Sequence, residues 1–224
     1  MIVDDVRGLL RDAGLDTEAV LWAPVSDQPP QAPSHRWVAW PTTNDEIVLG
    51  GSDQGSFAAY ARFGDPTLVA EILARWLDLD LPPAPRERET LRAASLAVAD
   101  LLVGPDAPSV LEPGGHLVGS VVPPGAPLDH IGNGSGHVLH LFDTSFAARS
   151  LPPTDANEPR FGLVLDAELP DTCRVVRVEP WFGQPGGGVA VVLDRVIAYY
   201  VDRGVLAPFA VDTAGPSAPS APGA

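Results

Sequence analysis

From residue 105 onwards, proline and glycine recur so closely that an uninterrupted helix has almost nowhere to form. "PPGAPLDHIGNGSG", "DTSFAARSLPP" and "PWFGQPGGG" each break the backbone within a few residues. Proline lacks a backbone donor and blocks a helix interior, whereas glycine enters turns that other residues avoid. Between the breaks lie short β-like runs such as "GHVLHLFD" and "DTCRVVRV", and the one clear helical pattern is "LDRVIAYYVDRGVL". The spacing predicts a mostly antiparallel β domain over residues 105–211, closed by one helix.

The preceding residues read differently. Val3, Val6, Leu9 and Leu10 recur at helical spacing before Gly14, and four short β-rich pieces follow: "EAVLWAPV", "HRWVAWP", "DEIVLGG" and "GSFAAYARF". In "DPTLVAEILARWLDL", Asp65 is placed to cap a helix whose first position is Pro66. Leu68, Ile72, Leu73, Trp76 and Leu77 form its expected apolar face. These elements predict a small αβ module over 1–80. "LPPAPRE" reads as a stiff linker leading into an amphipathic helix, the two spanning 81–104. "TAGPSAPSAPGA" reads as a disordered tail over 212–224. The expected class is therefore α+β.

Charge narrows the partners. With 14 basic and 29 acidic side chains the net charge is −15, which opposes non-specific binding to nucleic acid. All 14 bases are arginine, consistent with a GC-rich coding bias, so any anionic ligand has to be met by a few well-placed guanidinium groups. No apolar run approaches the ~20 residues of a membrane span, and the N-terminus does not resemble a secretory signal. The expectation is a cytoplasmic protein, or one exported by a specialised route that needs no signal peptide. The single cysteine, Cys173, excludes an internal disulfide and reads as a buried thiol.

Four of the five histidines, His116, His130, His137 and His140, fall within 25 residues. His137 and His140 would share one face of a helix, but "HVLH" is β-like, and on a strand residues three apart face opposite ways. Pocket-lining or surface roles are favoured over a metal site, and no metal or redox cofactor is expected. Nucleophile-elbow, Walker and dinucleotide-fingerprint patterns do not occur.

The three broken segments, taken in order, resemble the TNT family, the tuberculosis-necrotizing-toxin-like NAD glycohydrolases. The correspondence runs through Pro123–Gly132, Asp143–Pro153, Pro180–Gly188 and Leu193–Leu206, about residues 110–210, and "RSLPP" and "WFGQPGGG" carry it. The resemblance implies hydrolysis of the nicotinamide–ribose bond of NAD, giving nicotinamide and ADP-ribose. NAD is then the substrate, and an immunity or regulatory protein is a conceivable partner. It also implies Gln184, His130 and Arg149 as catalytic candidates. The substrate-binding candidates are Arg149, Phe146, Trp181, Phe182, Gly186 and Gly187. An amide can orient a polar group without adding charge, and an arginine can grip a diphosphate. The glycines would let the backbone approach the ligand.

Departures from the family pattern favour a second reading, a non-catalytic scaffold that binds a nucleotide or a protein. His130 stands where the family has arginine, and Phe161 lies about where a histidine is expected. "GTPF" becomes Asp143-Thr144-Ser145-Phe146. Arg160, His137, His140 and Glu179 are the nearest candidates to compensate. The N-terminal module is compatible with autoinhibition, docking or a plain folding role.

Overall fold

The computed structural model describes residues 2–77, 84–105, 107, 111 and 114–210. The proposed tail at 212–224 and part of the linker lie outside these residues. The N-terminal unit begins with α1 (Ile2–Asp12), which buries Val3, Val6 and Leu10 and leaves Leu9 exposed. β1 (Val20–Trp22), β2 (Arg36–Pro41), β3 (Ile47–Asp53) and β4 (Ser56–Phe63) form a sheet in that order. β1 pairs with β2 in parallel, and the other pairs are antiparallel. α2 (Pro66–Leu77) starts as expected, with the Asp65 carboxylate accepting from the Thr67 N–H at 2.8 Å. Its buried side chains include Val69, Ile72, Leu73 and Trp76, and they close the core over Trp37 and Leu49. Leu68, expected on that face, is exposed.

The second body contains β5 (Ala84–Pro85), α3 (Arg88–Val103), β6 (His116–Val118), β7 (Pro127–Ile131), β8 (Val138–Leu141) and α4 (Phe146–Arg149). β9 (Arg160–Leu165), β10 (Arg174–Arg177), β11 (Val189–Val192), α5 (Ile197–Asp202) and β12 (Leu206–Ala210) complete it. Its strands form one sheet in the order β5-β12-β9-β7-β8-β11-β10-β6, antiparallel except for β12 with β5. α3 belongs to this body rather than to a linker. Val98 and Leu102 pack with Leu128 and Leu139, and the Ser95 hydroxyl donates to the Phe142 carbonyl at 2.7 Å. The α+β class stands. The terminal helix is shorter than its pattern suggests, because Gly204 turns the chain (φ +68°) into β12, which pairs with β9. Among the described residues no helix is long and apolar enough to cross a membrane.

The two bodies share a core. Val196 and Ala198 pack among the N-terminal apolar residues. Asp202 accepts from the Tyr60 hydroxyl at 2.6 Å and the Trp76 indole at 3.3 Å. The buried Asp53 carboxylate, at the end of β3, accepts from the Val138 N–H at 3.1 Å and the His137 N–H at 3.3 Å. Asn133 donates to the His35 carbonyl at 2.8 Å.

The glycines of "GNGSG" are explained by this contact. A Cβ on Gly132 would strike His35, and one on Gly134 would strike Trp76. From the other side, a Cβ on Gly51 would strike the Ser135 carbonyl. Gly51→Ala is therefore expected to lower stability by about 1–3 kcal/mol, the usual range for overpacking. Gly8→Ala, in α1 with nothing within 4 Å of the added methyl, should be neutral or stabilising. Urea denaturation of both variants checks the contrast.

Candidate functional site

Strand alternation builds the site. Asp129 on β7 pairs with His140 on β8, His140 with Ala190 on β11, and Ala190 with Val176 on β10. These four lie on one face of the sheet, while Leu128, Leu139, Val191 and Val175 point into the core behind it. Beyond the first face is a cavity of about 510 Å³, within the ordinary size of small-molecule sites. Its lining includes His140, Arg149, Ser150, Arg177, Trp181 and Gln54.

Arg149 ends α4, whose N-terminus is capped by the Ser145 hydroxyl accepting from the Ala148 N–H. The Arg149 side chain is fully buried. Its Nε donates to the Thr144 carbonyl at 2.9 Å, and its Nη1 lies 2.5 Å from Asp129 Oδ1. That contact pairs opposite charges without the alignment of a directed hydrogen bond, and Nη2 has no partner. Arg160 Nε stands 3.2 Å from the other Asp129 oxygen. It can do so because Gly162, opposite Asp129 on β9, has no side chain, and Arg160 lies two residues away on the same face. One carboxylate is thus flanked by two guanidinium groups.

His140 is buried, and neither ring nitrogen has a partner. Burial first, and the neighbouring Arg149 charge second, hold its pKa well below the usual 6.5, so the imidazole is neutral at pH 7. Ser150 adopts a left-handed conformation (φ +50°), and its buried hydroxyl is also unpartnered. Orphaned buried polar groups are rare, and strained backbone gathers at functional sites.

In "WFGQPGGG" the Trp181 and Phe182 rings stack at 4.4 Å and 24°, and both are substantially exposed. The Gln184 N–H donates to the Trp181 carbonyl at 2.9 Å, closing a tight turn. The Gln184 side-chain Nε2 donates to the Leu151 carbonyl at 2.5 Å, so the third motif is tied to "RSLPP". Its Oε1 is buried without a partner. Gly186 (φ +65°) donates from its N–H to the Ala147 carbonyl at 3.2 Å, and Gly188 to the Ala148 carbonyl at 3.0 Å. A Cβ on Gly186 would come within 2.6 Å of the Val178 carbonyl.

Of the residues expected in the site, Arg149 and Trp181 line the cavity. Gln184, Phe146, Phe182, Gly186 and Gly187 are not in its wall. Within the glycine run, Gly186 is closely packed, whereas Gly187 (φ +89°) has open space where a side chain would stand. Gly186 and Gly188 let the backbone pass closely against residues 178–179 and against α4. His130 also departs from expectation. It follows Asp129 on a strand, so it points to the opposite face, where its ring is buried beside the N-terminal module. Its Nδ1 lies 2.9 Å from the Val138 carbonyl, which can only accept, so Nδ1 carries the proton. Burial lowers its pKa, with Asp53 at 3.7 Å opposing in part. Phe161 pairs with His130 across β9 and packs into the core, so no imidazole is supplied there.

Arg160 is engaged by Asp129, whereas His140 and Glu179 do line the cavity. Sequence reasoning missed Ser150, Arg177 and Gln54. Arg177, exposed at the end of β10, has no carboxylate partner among the described residues. Strand alternation in "RVVRVE" was the available signal for β10, but nothing in the sequence placed Gln54 there. Among the described residues no group of three His, Cys, Asp or Glu is placed to hold a metal ion.

Residues 121–209 match the family model described as Tuberculosis necrotizing toxin. The C-terminal region is TNT-like. A solved structure of tuberculosis necrotizing toxin complexed with its immunity factor is 28% identical over 46% of this chain and 58% of that one, with a TM-score of 0.37. The chain thus spans little more than half of that toxin chain. No curated protein gives a match. Every residue of the cavity wall outside Gln54, Gly114 and Gly115 falls within the TNT-like segment.

Proposed function

We propose that the protein hydrolyses the nicotinamide–ribose bond of NAD at the cavity beside Trp181. The observation that carries this reading is the convergence of three buried, under-partnered polar side chains, His140, Arg149 and Ser150, on one cavity inside the TNT-like segment. In the reaction, water adds at the ribose carbon, nicotinamide departs with the electrons of the broken bond, and one proton is released. The transition state carries oxocarbenium-like positive charge, and the leaving ring is itself cationic before cleavage.

A site for this step should hold an anionic diphosphate without opposing that positive charge. Arg149 is offset by Asp129, and His140 is neutral, so neither adds net charge next to the ribose. His140 can still accept from a ribose hydroxyl or the attacking water. Trp181 provides an exposed aromatic face for a planar ring, and Arg177 offers an uncommitted cation for the diphosphate. Gln184 holds the Ser150–Leu151 wall through Leu151, and its free Oε1 is an acceptor close behind that wall.

Incubating the purified protein with NAD and following nicotinamide release tests the reading. Turnover is expected at neutral pH without added metal. Gln184→Ala should lower kcat at least about tenfold, while removal of one hydrogen bond costs about 1 kcal/mol of stability. Binding of NAD with no cleavage at any pH from 5 to 9 would instead support the non-catalytic scaffold, which the burial of His130 away from the cavity favours.

A further inference from the structure

We infer that the N-terminal module is part of the ligand site, and that Gln54 contacts the bound dinucleotide. This deepens the NAD-cleaving reading and rests on it. Among the described residues, Gln54 is the one cavity-lining residue contributed from outside the second body. It sits at the tip of the hairpin between β3 and β4, where Gln54 (φ +48°) and Gly55 (φ +78°) form the two central residues of a tight turn. Such turns favour Asn or Gly at the first of these positions, so a long side chain there is unfavourable for the turn itself. The Gln54 N–H donates to the Ser34 hydroxyl at 3.0 Å, but its carboxamide has no hydrogen-bond partner among the described residues.

The hairpin does not reach the cavity by loose proximity. The preceding residue, Asp53, is almost fully buried and accepts from the backbone of His137 and Val138 at the start of β8. β8 carries His140 into the cavity two residues later. One carboxylate therefore fixes the position of β8 and of the Gln54 tip together. Gly51 allows the close approach on one side, and Gly134 and Gly136 allow it on the other. The tip backbone is held in this way, and the exposed carboxamide it presents to the cavity can donate to and accept from an uncharged polar group, which in a dinucleotide means a ribose hydroxyl or the nicotinamide amide.

Gln54→Gly removes the side chain and suits the positive φ, so folding is expected to be unchanged or slightly improved. The variant should raise KM for NAD about tenfold, the effect of one lost hydrogen bond, with kcat within twofold. Gln54→Trp should block binding by filling the tip of the cavity. Calorimetry with ADP-ribose provides a readout that does not depend on turnover. Wild-type cleavage or binding combined with unchanged values in both variants would overturn the inference and leave the cavity assignment standing. A wild-type protein that neither cleaves NAD nor binds ADP-ribose would overturn both.

Discussion

Replacing Arg149 by methionine is expected to lower stability by about 3 kcal/mol or more and to abolish detectable NAD cleavage. The guanidinium is fully buried against Asp129, and removing one member of a buried ion pair typically costs about 3–5 kcal/mol because the other charge remains in a poorly solvating interior. Arg160, at 3.2 Å from the same carboxylate, holds the effect towards the lower end. The double variant Asp129→Asn/Arg149→Met should recover part of the stability, since no buried carboxylate is left uncompensated while the partly exposed Arg160 loses its nearest partner, but not the activity. Urea denaturation of the single and double variants separates the contributions. Equal stability of wild type and Arg149→Met would show that the pair does not have the buried geometry described.

Acid should begin to destabilise the protein well above the carboxylate range. His130, His137 and His140 all have pKa values lowered from 6.5 chiefly by burial, opposed in part by Asp53 at His130 and His137 and reinforced by Arg149 at His140. The folded state therefore resists protonation at these rings, while the unfolded chain takes up protons as pH falls through about 6.5. The stabilisation from keeping them neutral is complete above that pH and is lost progressively below it. Each ring contributes up to about 1.4 kcal/mol per pH unit, so three give an upper limit of about 4 kcal/mol between pH 6.5 and 5.5. Urea midpoints measured from pH 7.5 to 5.5 should be flat and then fall. His137→Gln should make the descent shallower. A midpoint that holds steady to pH 5.5 would mean the rings are not kept neutral by the fold.

The acid expectation traces to two bodies sharing one buried polar seam. Asp53, His130 and His137 meet there, and on the far side of the sheet Arg149 and His140 line the cavity, with Asp129 buried against Arg149. Acid loss of the seam and loss of the ligand site should therefore accompany each other. Among the described residues the N-terminal module supplies only Gln54 to the cavity lining, so its docked position forms part of a wall rather than a seal.

Local chemistry was legible in the amino-acid order. The capped helix after Asp65, the helix over 88–103, the strands of "HRWVAWP", "GSFAAYARF" and "GHVLHLFD", and the buried Cys173 all follow from short-range patterns of turn residues and apolar spacing. The segments that match the toxin family were visible for the same reason, because motifs are contiguous. The face on which each motif residue lands was decided only in three dimensions. Asp129 and His130 are neighbours in the chain, yet one pairs with Arg149 at the cavity and the other is buried against the N-terminal module. A strand turns successive side chains to opposite sides, and which side becomes a cavity depends on what packs over it. Likewise the order of "GNGSG" announces a glycine-rich turn, but only the tertiary structure shows that Gly132 and Gly134 leave room for His35 and Trp76 of the N-terminal module. Sequence patterns report backbone preference within a few residues. Pairing of strands and docking of modules depend on contacts between residues up to 142 positions apart, as in Tyr60 with Asp202, and no local pattern encodes those.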